Sequence, residues 1–337
     1  MTKQVIGSLA RISDIAQVPW ELKPVPATDW RTGDYVAAEV TGERSELYNV
    51  EDTSGTMVPV AAHDMVVGAL GHRAATLEGV GSFEAVKNGR MHCLTNAGLL
   101  GAFTSLSPFL PRPISLSYRG HLRRGRSFLG MQDFALPARD RRFSVPTILL
   151  IGSSMSAGKT TTGRVVIETL AARGANITGA KLTGAGRYRD ILSFRRAGAA
   201  AIFDFVDAGL PSTAVPEDVF RTALRPLLAA IDAGKPDFLV AEAGASPLEP
   251  YNGEAAIDEL GDNIRCTILC ASDPYAVLGV QKAFDLPIDI VSGPATTTSA
   301  GRDLVTRLTG LPSFNILDAG SLPGFRAALS GSIGIEA

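Results

Sequence analysis

The chain has 337 residues and a formal net charge of −2, and 45% of its residues are hydrophobic against 20% charged. This composition is typical of a globular protein with a large core, and the length suggests two domains. The near-neutral charge gives no electrostatic argument for nucleic acid or a membrane surface as a partner, and no apolar run approaches the ~20 residues that cross a bilayer.

Residues 1–13 have mixed polarity, so we do not expect a secretory signal. We expect the three cysteines to be buried free thiols, since Cys266 and Cys270 share one face of an apolar stretch and no histidine lies near them. The third is Cys93. Both expectations fit a cytoplasmic location.

Residues 1–140 predict a smaller β-rich domain, either a barrel or a sandwich. Their short extended segments are separated by turn residues, as at Gly33-Asp34 and at 52–55, and long helical periodicity is missing. A passage rich in proline and arginine runs from Pro108 to Pro146, and we interpret it as the linker to a second domain. Its arginines have few aromatic residues between them. This favours a solvated linker, or an arginine set that reaches a phosphate or a neighbouring subunit, over a nucleic-acid surface.

Residues 145–337 alternate between apolar runs and helical patterns. The runs that we interpret as strands are 147–151, 177–182, 236–241, 264–271, 287–291 and 313–316. The predicted helices are 158–173, 188–198, 216–231, 274–284, 298–309 and 322–330. This alternation predicts an α/β domain with a mostly parallel sheet and helices on both faces, in which ligands bind at the carboxyl ends of the strands.

The first strand of this domain leads into the sequence GSSMSAGKTT at residues 152–161, and a helical pattern follows it. Strand, glycine-bounded loop, Gly-Lys-Thr and helix are the arrangement of a P-loop. Backbone N–H groups of such a loop bind phosphate, Lys159 adds a positive charge, and Thr160 offers a hydroxyl to Mg²⁺. The residues predicted to bind the phosphates are Gly152, Ser156, Ala157, Gly158, Lys159, Thr160 and Thr161. One irregularity is that Ser153 stands where the standard spacing has its first glycine.

Three charged residues are predicted to lie near this loop. Glu242 ends an apolar strand, as does the acidic residue that reaches Mg²⁺ in P-loop proteins. Lys181 ends the second strand and could contact the γ-phosphate or a substrate anion, unless it is a surface lysine. Asp190 could be a second acidic metal partner or an acid that stabilises the start of a helix.

Other residues of this edge are candidates for substrate or nucleoside binding. The proposed substrate residues are Lys181, Thr183, Gly184, Ser246, Tyr251 and Asn252, and the proposed nucleoside residues are Ser292 and Pro294. Loops at the carboxyl ends of parallel strands can approach a nucleoside in this way. Asp204 and Asp207 either line the substrate pocket or are loop and edge acids, and the second interpretation is favoured.

The spacing Gly-x₅-Gly-Lys-Thr resembles that of dethiobiotin synthetase and its relatives in the signal-recognition, MinD and BioD class of P-loop proteins. The resemblance covers about 147–317. It implies ATP and Mg²⁺ as cofactors, a substrate role for Lys181, and metal binding by Thr160, Asp190 and Glu242. The asparagine that reads the base in dethiobiotin synthetase has no clear match, and Ser292 stands near its position.

Residues 242–253 also resemble a P-loop family described as D-glutamate N-acetyltransferase-like. That family begins its loop with Gly-Thr-Asp, where this chain has Gly-Ser-Ser at 152–154, and it has a glycine where Ala243 stands. The resemblance implies acyl transfer to an amino acid as an alternative activity.

These observations predict an ATP- and Mg²⁺-dependent enzyme that transfers the γ-phosphoryl group to a small molecule, and the acceptor is expected to be a carboxylate. The enzyme would be a kinase, or a ligase if an amine captures an acyl phosphate, with Lys159, Lys181 and Glu242 as its catalytic residues. Alternatives are the acyltransferase, a polynucleotide kinase and a nucleotide-driven dimerising switch. The switch is disfavoured because the lysine that reaches across such a dimer is missing from 153–157. A homodimer is expected from the class resemblance alone.

Overall fold

The computed structural model describes residues 3–42, 49–139, 141–244 and 246–335. The chain divides into two compact units. The first contains Met1–Pro137, Ala185–Asp190 and Phe205–Ala223, and the second contains Ala138–Gly184, Ile191–Asp204 and Leu224–Ala337. Two short segments from the C-terminal half therefore belong by their contacts to the first unit, whereas the sequence predicts two contiguous domains, 1–140 and 145–337.

The first unit is built of short strands. They are β1 Gln4–Ile6, β2 Glu21–Lys23, β3 Tyr35–Val40, β4 Asn49–Glu51, β5 Met57–Pro59, β6 Met65–Leu70, β7 His72–Ala75, β8 Gly79–Ser82, β9 Arg90–Thr95, β10 Leu99–Leu106, β11 Ser115–Arg124 and β12 Ser127–Phe128. Short 3₁₀ helices cover Ser8–Ala10, Ala27–Asp29, Phe83–Ala85 and Met131–Phe134.

Five of these strands, β6, β3, β11, β9 and β10, close into a barrel, which is one of the two architectures that the sequence predicts, and β4 and β5 form a separate two-stranded sheet. The main sheet has the order β1-β6-β3-β11-β9-β10-β8-β7, and β10 pairs with β6 as well, which closes the ring. That closing pair is parallel, whereas β3 pairs antiparallel with both β6 and β11. The core inside consists mainly of aliphatic side chains such as Val36, Val66 and Leu100, all fully buried.

The second unit alternates strands with helices. Its strands are β13 Thr147–Gly152, β14 Ile177–Thr183, β15 Ala201–Asp204, β16 Phe238–Ala243, β17 Ile264–Cys270 and β18 Ile290–Ser292. The helices of this half of the chain are α1 Lys159–Ala171, α2 Tyr188–Arg196, α3 Glu217–Ala233, α4 Gly253–Leu260, α5 Pro274–Ala283, α6 Ser299–Thr309 and α7 Leu322–Ile333, with 3₁₀ helices at Gly261–Asn263 and Pro294–Thr296.

The six strands form one sheet in the order β15-β14-β16-β13-β17-β18, and each of the neighbouring pairs described is parallel. Every residue of β13 and β14 is buried, so both faces of the sheet are covered, as in other parallel sheets. On one face Leu150 and Ile268 pack with side chains of α1 and α7, such as Val166 and Phe325. The α/β prediction, with helices on both faces and a separate β-rich part, is confirmed.

Some elements differ from the prediction. The passage from Pro108 to Pro146, interpreted above as a linker, contains β11 and β12 of the first unit, and β11 pairs with β3 and β9. Residues 313–316 do not form a strand and make only an isolated bridge between Ser313 and Val291. The apolar side chains of this segment serve packing instead, since the rings of Phe314 and Phe325 lie 6.1 Å apart and Ile316 is buried. Conversely, β15 and α4 are present in the structure but were not predicted, because elements this short give little periodic signal in the sequence.

Cys93, Cys266 and Cys270 are free and buried, as predicted. Within the described part of the chain, no helix is both long enough and apolar enough to cross a membrane.

Candidate functional site

The phosphate loop joins β13 to α1. Ser156 and Gly158 have positive φ angles of 62° and 96°, and Gly158 is the N-cap of α1 without a side-chain hydrogen bond to the helix. A non-glycine residue in this conformation is uncommon, and loops that bend in this way present backbone N–H groups to anions. The loop and the first turn of α1 therefore form a site suited to a phosphate group.

Lys159 begins α1 and is 5% exposed. Its Nζ donates a hydrogen bond to the carbonyl oxygen of Ser154 over 2.8 Å, which keeps the ammonium group against the loop. Burial lowers the pKa of Lys159, while the nearby Glu242 carboxylate raises it. The lysine is thus a buried cation that an additional anion would stabilise.

Thr160 and Glu242 meet beside this lysine. The Oγ1 hydroxyl of Thr160 donates to Oε2 of Glu242 over 2.9 Å, and Glu242 is 4% exposed. Glu242 lies near the end of β16, in register with Leu150 of β13 and Lys181 of β14. The hydroxyl and the carboxylate that the sequence predicts as metal ligands are therefore in direct contact.

Lys181 lies between two acidic residues in the sheet. It is in register with Glu242 of β16 on one side and with Asp204 of β15 on the other, and all three are buried. A buried lysine needs such partners, because a charge without compensation is costly inside a protein. Lys181 is therefore a buried residue of the sheet edge. Asp204 ends the edge strand β15, and Asp207 forms an ion pair with Arg11 in the first unit.

The ends of β14 and β16 approach each other closely. The Thr183 hydroxyl donates to the carbonyl oxygen of Gly244 over 3.1 Å, and a Cβ at position 244 would lie 2.2 Å from the carbonyl oxygen of Thr183. Gly184 is adjacent, with a positive φ of 121°. The proposed substrate residues Thr183 and Gly184 thus lie at the same strand end as Lys181, and only glycine fits at position 244.

The segment after β16 is a series of turns. Ser246 Oγ accepts a hydrogen bond from the N–H of Leu248, Tyr251 is fully buried, and Asn252 adopts a left-handed conformation at the start of α4. Their assignment to substrate binding stays a prediction. Glu249 of this segment is buried, and its charge raises the pKa of Lys159, against the larger lowering by burial. Glu249 is not among the predicted site residues, because no sequence motif identifies it.

The turn after β18 packs against the phosphate loop. Ser292 is fully buried, and Thr162 of α1 donates to its hydroxyl over 3.4 Å. A Cβ at Gly293 would lie 2.5 Å from the carbonyl oxygen of Ala157. Pro294 is exposed. The turn therefore supports the loop, and the proposed contact of Ser292 and Pro294 with a nucleoside stays a prediction.

Asp190 lies in the first turn of α2 and belongs to the first unit by its contacts. The start of this helix is stabilised by Glu51, whose carboxylate accepts hydrogen bonds from the N–H groups of Tyr188 and Arg189 over 2.7 and 2.9 Å. Ser8 also donates its hydroxyl to this carboxylate, over 2.5 Å. The metal role of Asp190 stays a prediction.

Among the residues with described positions, no group of three or more histidine, cysteine, aspartate or glutamate side chains forms a metal site. A divalent ion at Thr160 and Glu242 would share its remaining positions between water and the oxygens of a bound phosphate. This is how Mg²⁺ is commonly held, because it keeps few protein ligands and uses substrate phosphates.

No protein-family model and no curated protein matches this chain. Solved structures match part of it. Chloroplast FtsY from Physcomitrella patens is 15% identical over 58% of this chain and 67% of its own, with a TM-score of 0.37. HypB from Helicobacter pylori in complex with nickel is 16% identical over 57% and 88%, with a TM-score of 0.36.

A third similar structure is the signal recognition particle 54 kDa protein from Aeropyrum pernix K1 in complex with GDP. It is 20% identical over 58% of this chain and 47% of its own, with a TM-score of 0.35. At such identities and TM-scores these likenesses carry no argument about function. The second unit is a P-loop fold by its own strand order, phosphate loop and strand-end acid.

Proposed function

We propose that this protein transfers the γ-phosphoryl group of a nucleoside triphosphate, ATP by preference, to a small carboxylate in the presence of Mg²⁺. The observation that carries the proposal is a second buried lysine. Lys159 suffices for the phosphates of a nucleotide, yet Lys181 adds another buried cation beside Glu242. In this proposal Lys159 binds the nucleotide phosphates, and Lys181, in register with Asp204 and Glu242 at the same strand edge, binds the anionic acceptor.

In the proposed reaction the loop and Lys159 bind the β- and γ-phosphates. Thr160 and Glu242 would hold Mg²⁺, which would neutralise phosphate charge. Lys181 orients the acceptor carboxylate, one oxygen of which forms a bond to the γ-phosphorus while the bond to the β,γ-bridging oxygen breaks. Positioning and charge neutralisation supply most of the rate.

The product of this step is an acyl phosphate. If an amine then displaces the phosphate, the protein is a ligase, and otherwise it is a kinase. The proposed acceptor residues beyond Lys181 are Thr183, Gly184, Ser246, Tyr251 and Asn252, and the proposed nucleoside residues are Ser292 and Pro294.

A ligand screen followed by chemical trapping tests the proposal. Melting temperatures would be measured with ATP, GTP, CTP and acetyl-CoA in the presence of Mg²⁺, then with small carboxylic and amino acids, because a ligand of the native state stabilises it. Hydroxylamine converts an acyl phosphate to a hydroxamate, so a carboxylate acceptor should yield both nucleoside diphosphate and hydroxamate. Stabilisation by acetyl-CoA alone would favour the acyltransferase.

Controls link the chemistry to the site. Lys159→Ala should abolish nucleotide turnover, whereas Lys282→Ala, at an exposed lysine of α5, should not. If no carboxylate accelerates diphosphate release and no hydroxamate forms while nucleotide still binds, phosphoryl transfer to a carboxylate is wrong and only the nucleotide site remains.

A dimerising nucleotide switch is the second candidate. Leu248 and Tyr275 follow the carboxyl ends of β16 and β17 and are 53% and 68% exposed. In this second proposal a second copy of the chain would cover these two exposed side chains. Sedimentation with a non-hydrolysable triphosphate separates the candidates, since a switch becomes dimeric only in the nucleotide-bound form and needs no acceptor.

A further inference from the structure

The second unit contains a groove of about 800 Å³ that none of the preceding roles uses. This volume lies within the ~300–1,000 Å³ of most ligand pockets. The groove is lined by residues 139–144, by Arg225 and Leu228 of α3, and by residues 258–263. The first stretch leads into β13 and the last into β17, so the groove lies at the amino ends of these strands. The phosphate loop follows the carboxyl end of β13, and the two sites are therefore separate.

Part of the charge in the lining is already compensated within the chain. Arg141 forms an ion pair with the buried Asp232, which also accepts hydrogen bonds from the N–H and hydroxyl groups of Ser144 over 2.9 and 2.7 Å. Arg225 donates to Oε1 of Glu259 from Nη2 and Nε over 2.9 and 3.2 Å. These pairs fix two walls of the groove and leave little charge for a ligand.

Three further charged residues of the lining are exposed, namely Arg139, Arg142 and Asp262. Within the part of the chain that the structure describes, their side chains form no ion pair and no hydrogen bond. The other charged residue described in the lining, Asp258, interacts with other groups of the chain. The groove therefore presents two positive charges and one negative charge to a ligand.

The three open charges lie near one another. The carbonyl oxygen of Arg139 accepts a hydrogen bond from the N–H two residues later over 3.0 Å, which keeps Arg139 close to Arg142. Nδ2 of Asn263 donates to the carbonyl oxygen of Phe143 over 3.4 Å. Arg142 and Asp262 flank this contact, one on each side, and consecutive Cα atoms are only ~3.8 Å apart. A small ligand can therefore span the distance between them.

Arg142 and Asp262 have opposite charges and flank one hydrogen bond, yet they do not pair with each other. A ligand that carries two carboxylates and one ammonium group complements the three open charges. Arginine suits the carboxylates, because its planar set of donors matches two carboxylate oxygens. We propose that the groove binds a short acidic peptide with a free amino terminus, with its carboxylates at Arg139 and Arg142 and its ammonium group at Asp262. This inference does not depend on the proposed phosphoryl transfer.

Dipeptide binding to the full-length protein without nucleotide or Mg²⁺ tests the proposal. Alanyl-aspartate has two carboxylates and an ammonium group, alanyl-asparagine lacks one carboxylate, and N-acetyl-alanyl-aspartate lacks the ammonium group. All three would be titrated at about pH 6.5, where the amino terminus is protonated, and at constant low ionic strength. Calorimetry should show saturable binding of alanyl-aspartate that is at least about threefold tighter than that of either analogue, the order expected of one partly solvated ion pair.

Variants assign each charge. The double variant Arg139→Gln/Arg142→Gln should bind alanyl-aspartate and alanyl-asparagine with equal affinity, because both carboxylate partners are gone. Asp262→Asn should bind alanyl-aspartate and its N-acetyl form equally, but should still prefer aspartate to asparagine. All three positions are exposed, so the variants should keep the melting temperature of the wild type in the absence of peptide.

Arg265→Gln is the matched control. Arg265 is exposed, lies two residues after Asn263 and does not line the groove, so this variant should bind alanyl-aspartate as the wild type does. The proposal is overturned if binding of alanyl-aspartate does not saturate, if the wild type binds the three peptides equally, or if the groove variants keep the wild-type preferences. Equal weakening by Arg265→Gln would also overturn it, since the effect would then reflect the general charge of the surface.

Discussion

The Thr160 hydroxyl donates a hydrogen bond to Oε2 of Glu242 over 2.9 Å. The contact joins the first turn of α1 to the end of β16, and so places the phosphate loop and the strand-end acid at one point of the sheet edge. Both groups are oxygen donors of the kind that Mg²⁺ prefers.

The first prediction concerns this pair. Glu242→Gln keeps the size of the side chain and an acceptor for Thr160 but removes the charge, so Mg²⁺ affinity in the presence of nucleotide should fall roughly 10- to 100-fold. Nucleotide-dependent Mg²⁺ titrations would measure it. Glu254→Gln, at an exposed glutamate of α4, is the control and should leave the affinity unchanged. Equal Mg²⁺ affinity in wild type and Glu242→Gln would remove Glu242 from the metal site.

The second prediction separates the two lysines. Lys181→Met keeps the aliphatic chain but removes the charge that would orient the acceptor, so acceptor-dependent turnover should fall roughly 100-fold, as for other lost charge-stabilising donors. The affinity for nucleotide, measured by calorimetry, should change little, whereas Lys159→Met should abolish it. A loss of nucleotide affinity in Lys181→Met that matches Lys159→Met would place Lys181 on the nucleotide and not on the acceptor.

The sequence predicts the phosphate loop and Glu242 because their signals are local. A strand, a glycine-bounded loop and a helix follow one another along the chain, and parallel strands bring their carboxyl ends to one edge. Lys181 could be assigned to the same edge for this reason. The burial of Lys181 between Asp204 and Glu242 could not be predicted, because Asp204 lies on β15, a four-residue strand whose pattern is too short to recognise.

Other features depend on pairings that local patterns do not encode. A parallel pair, β6 and β10, closes the barrel, although the paired residues lie some thirty positions apart in the sequence. Similarly, Glu51 stabilises the start of α2 although more than a hundred residues separate them. Burial of Glu249 near Lys159 follows from the turns of 246–252, whose conformation no motif specifies.

The third prediction concerns pH. Burial lowers the pKa of Lys159 below its ordinary value of 10.5. Between the lowered pKa and 10.5 the unfolded chain holds a proton that the native protein lacks, so the free energy of unfolding should rise with pH in this window. Urea unfolding of the wild type and of Lys159→Met, measured at several pH values between the lowered pKa and 10.5, would test this. The variant should lack the rise in the free energy of unfolding. An identical pH dependence in both proteins would contradict the lowered pKa.

A bound polyphosphate stabilises the charged lysine and raises its pKa again. Nucleotide binding should therefore take up protons within the same window, and nucleotide affinity should fall as pH rises through it. Calorimetry in two buffers of different ionisation enthalpy would measure the uptake. Binding heats that are independent of the buffer would contradict it.

The fourth prediction concerns the turn that supports the phosphate loop. Gly293 has φ +89° and ψ −167°, a conformation almost confined to glycine, and an added Cβ would lie 2.5 Å from the carbonyl oxygen of Ala157. Gly293→Ala should therefore destabilise the protein through both backbone strain and overlap, and should displace the loop, so that nucleotide affinity falls as well.

Gly310→Ala provides the matched control. Gly310 has a positive φ of 72°, but an added Cβ would meet no atom within 4 Å, so this variant should lose only about 1 kcal/mol to backbone strain. Gly293→Ala should lose at least about 1 kcal/mol more of the free energy of unfolding than Gly310→Ala, because overpacking adds to the strain. Gly310→Ala should bind nucleotide as the wild type does. Urea unfolding and nucleotide titration would measure both quantities. Equal effects of the two variants would mean that the turn after β18 does not support the loop, because strain alone would then explain the whole effect.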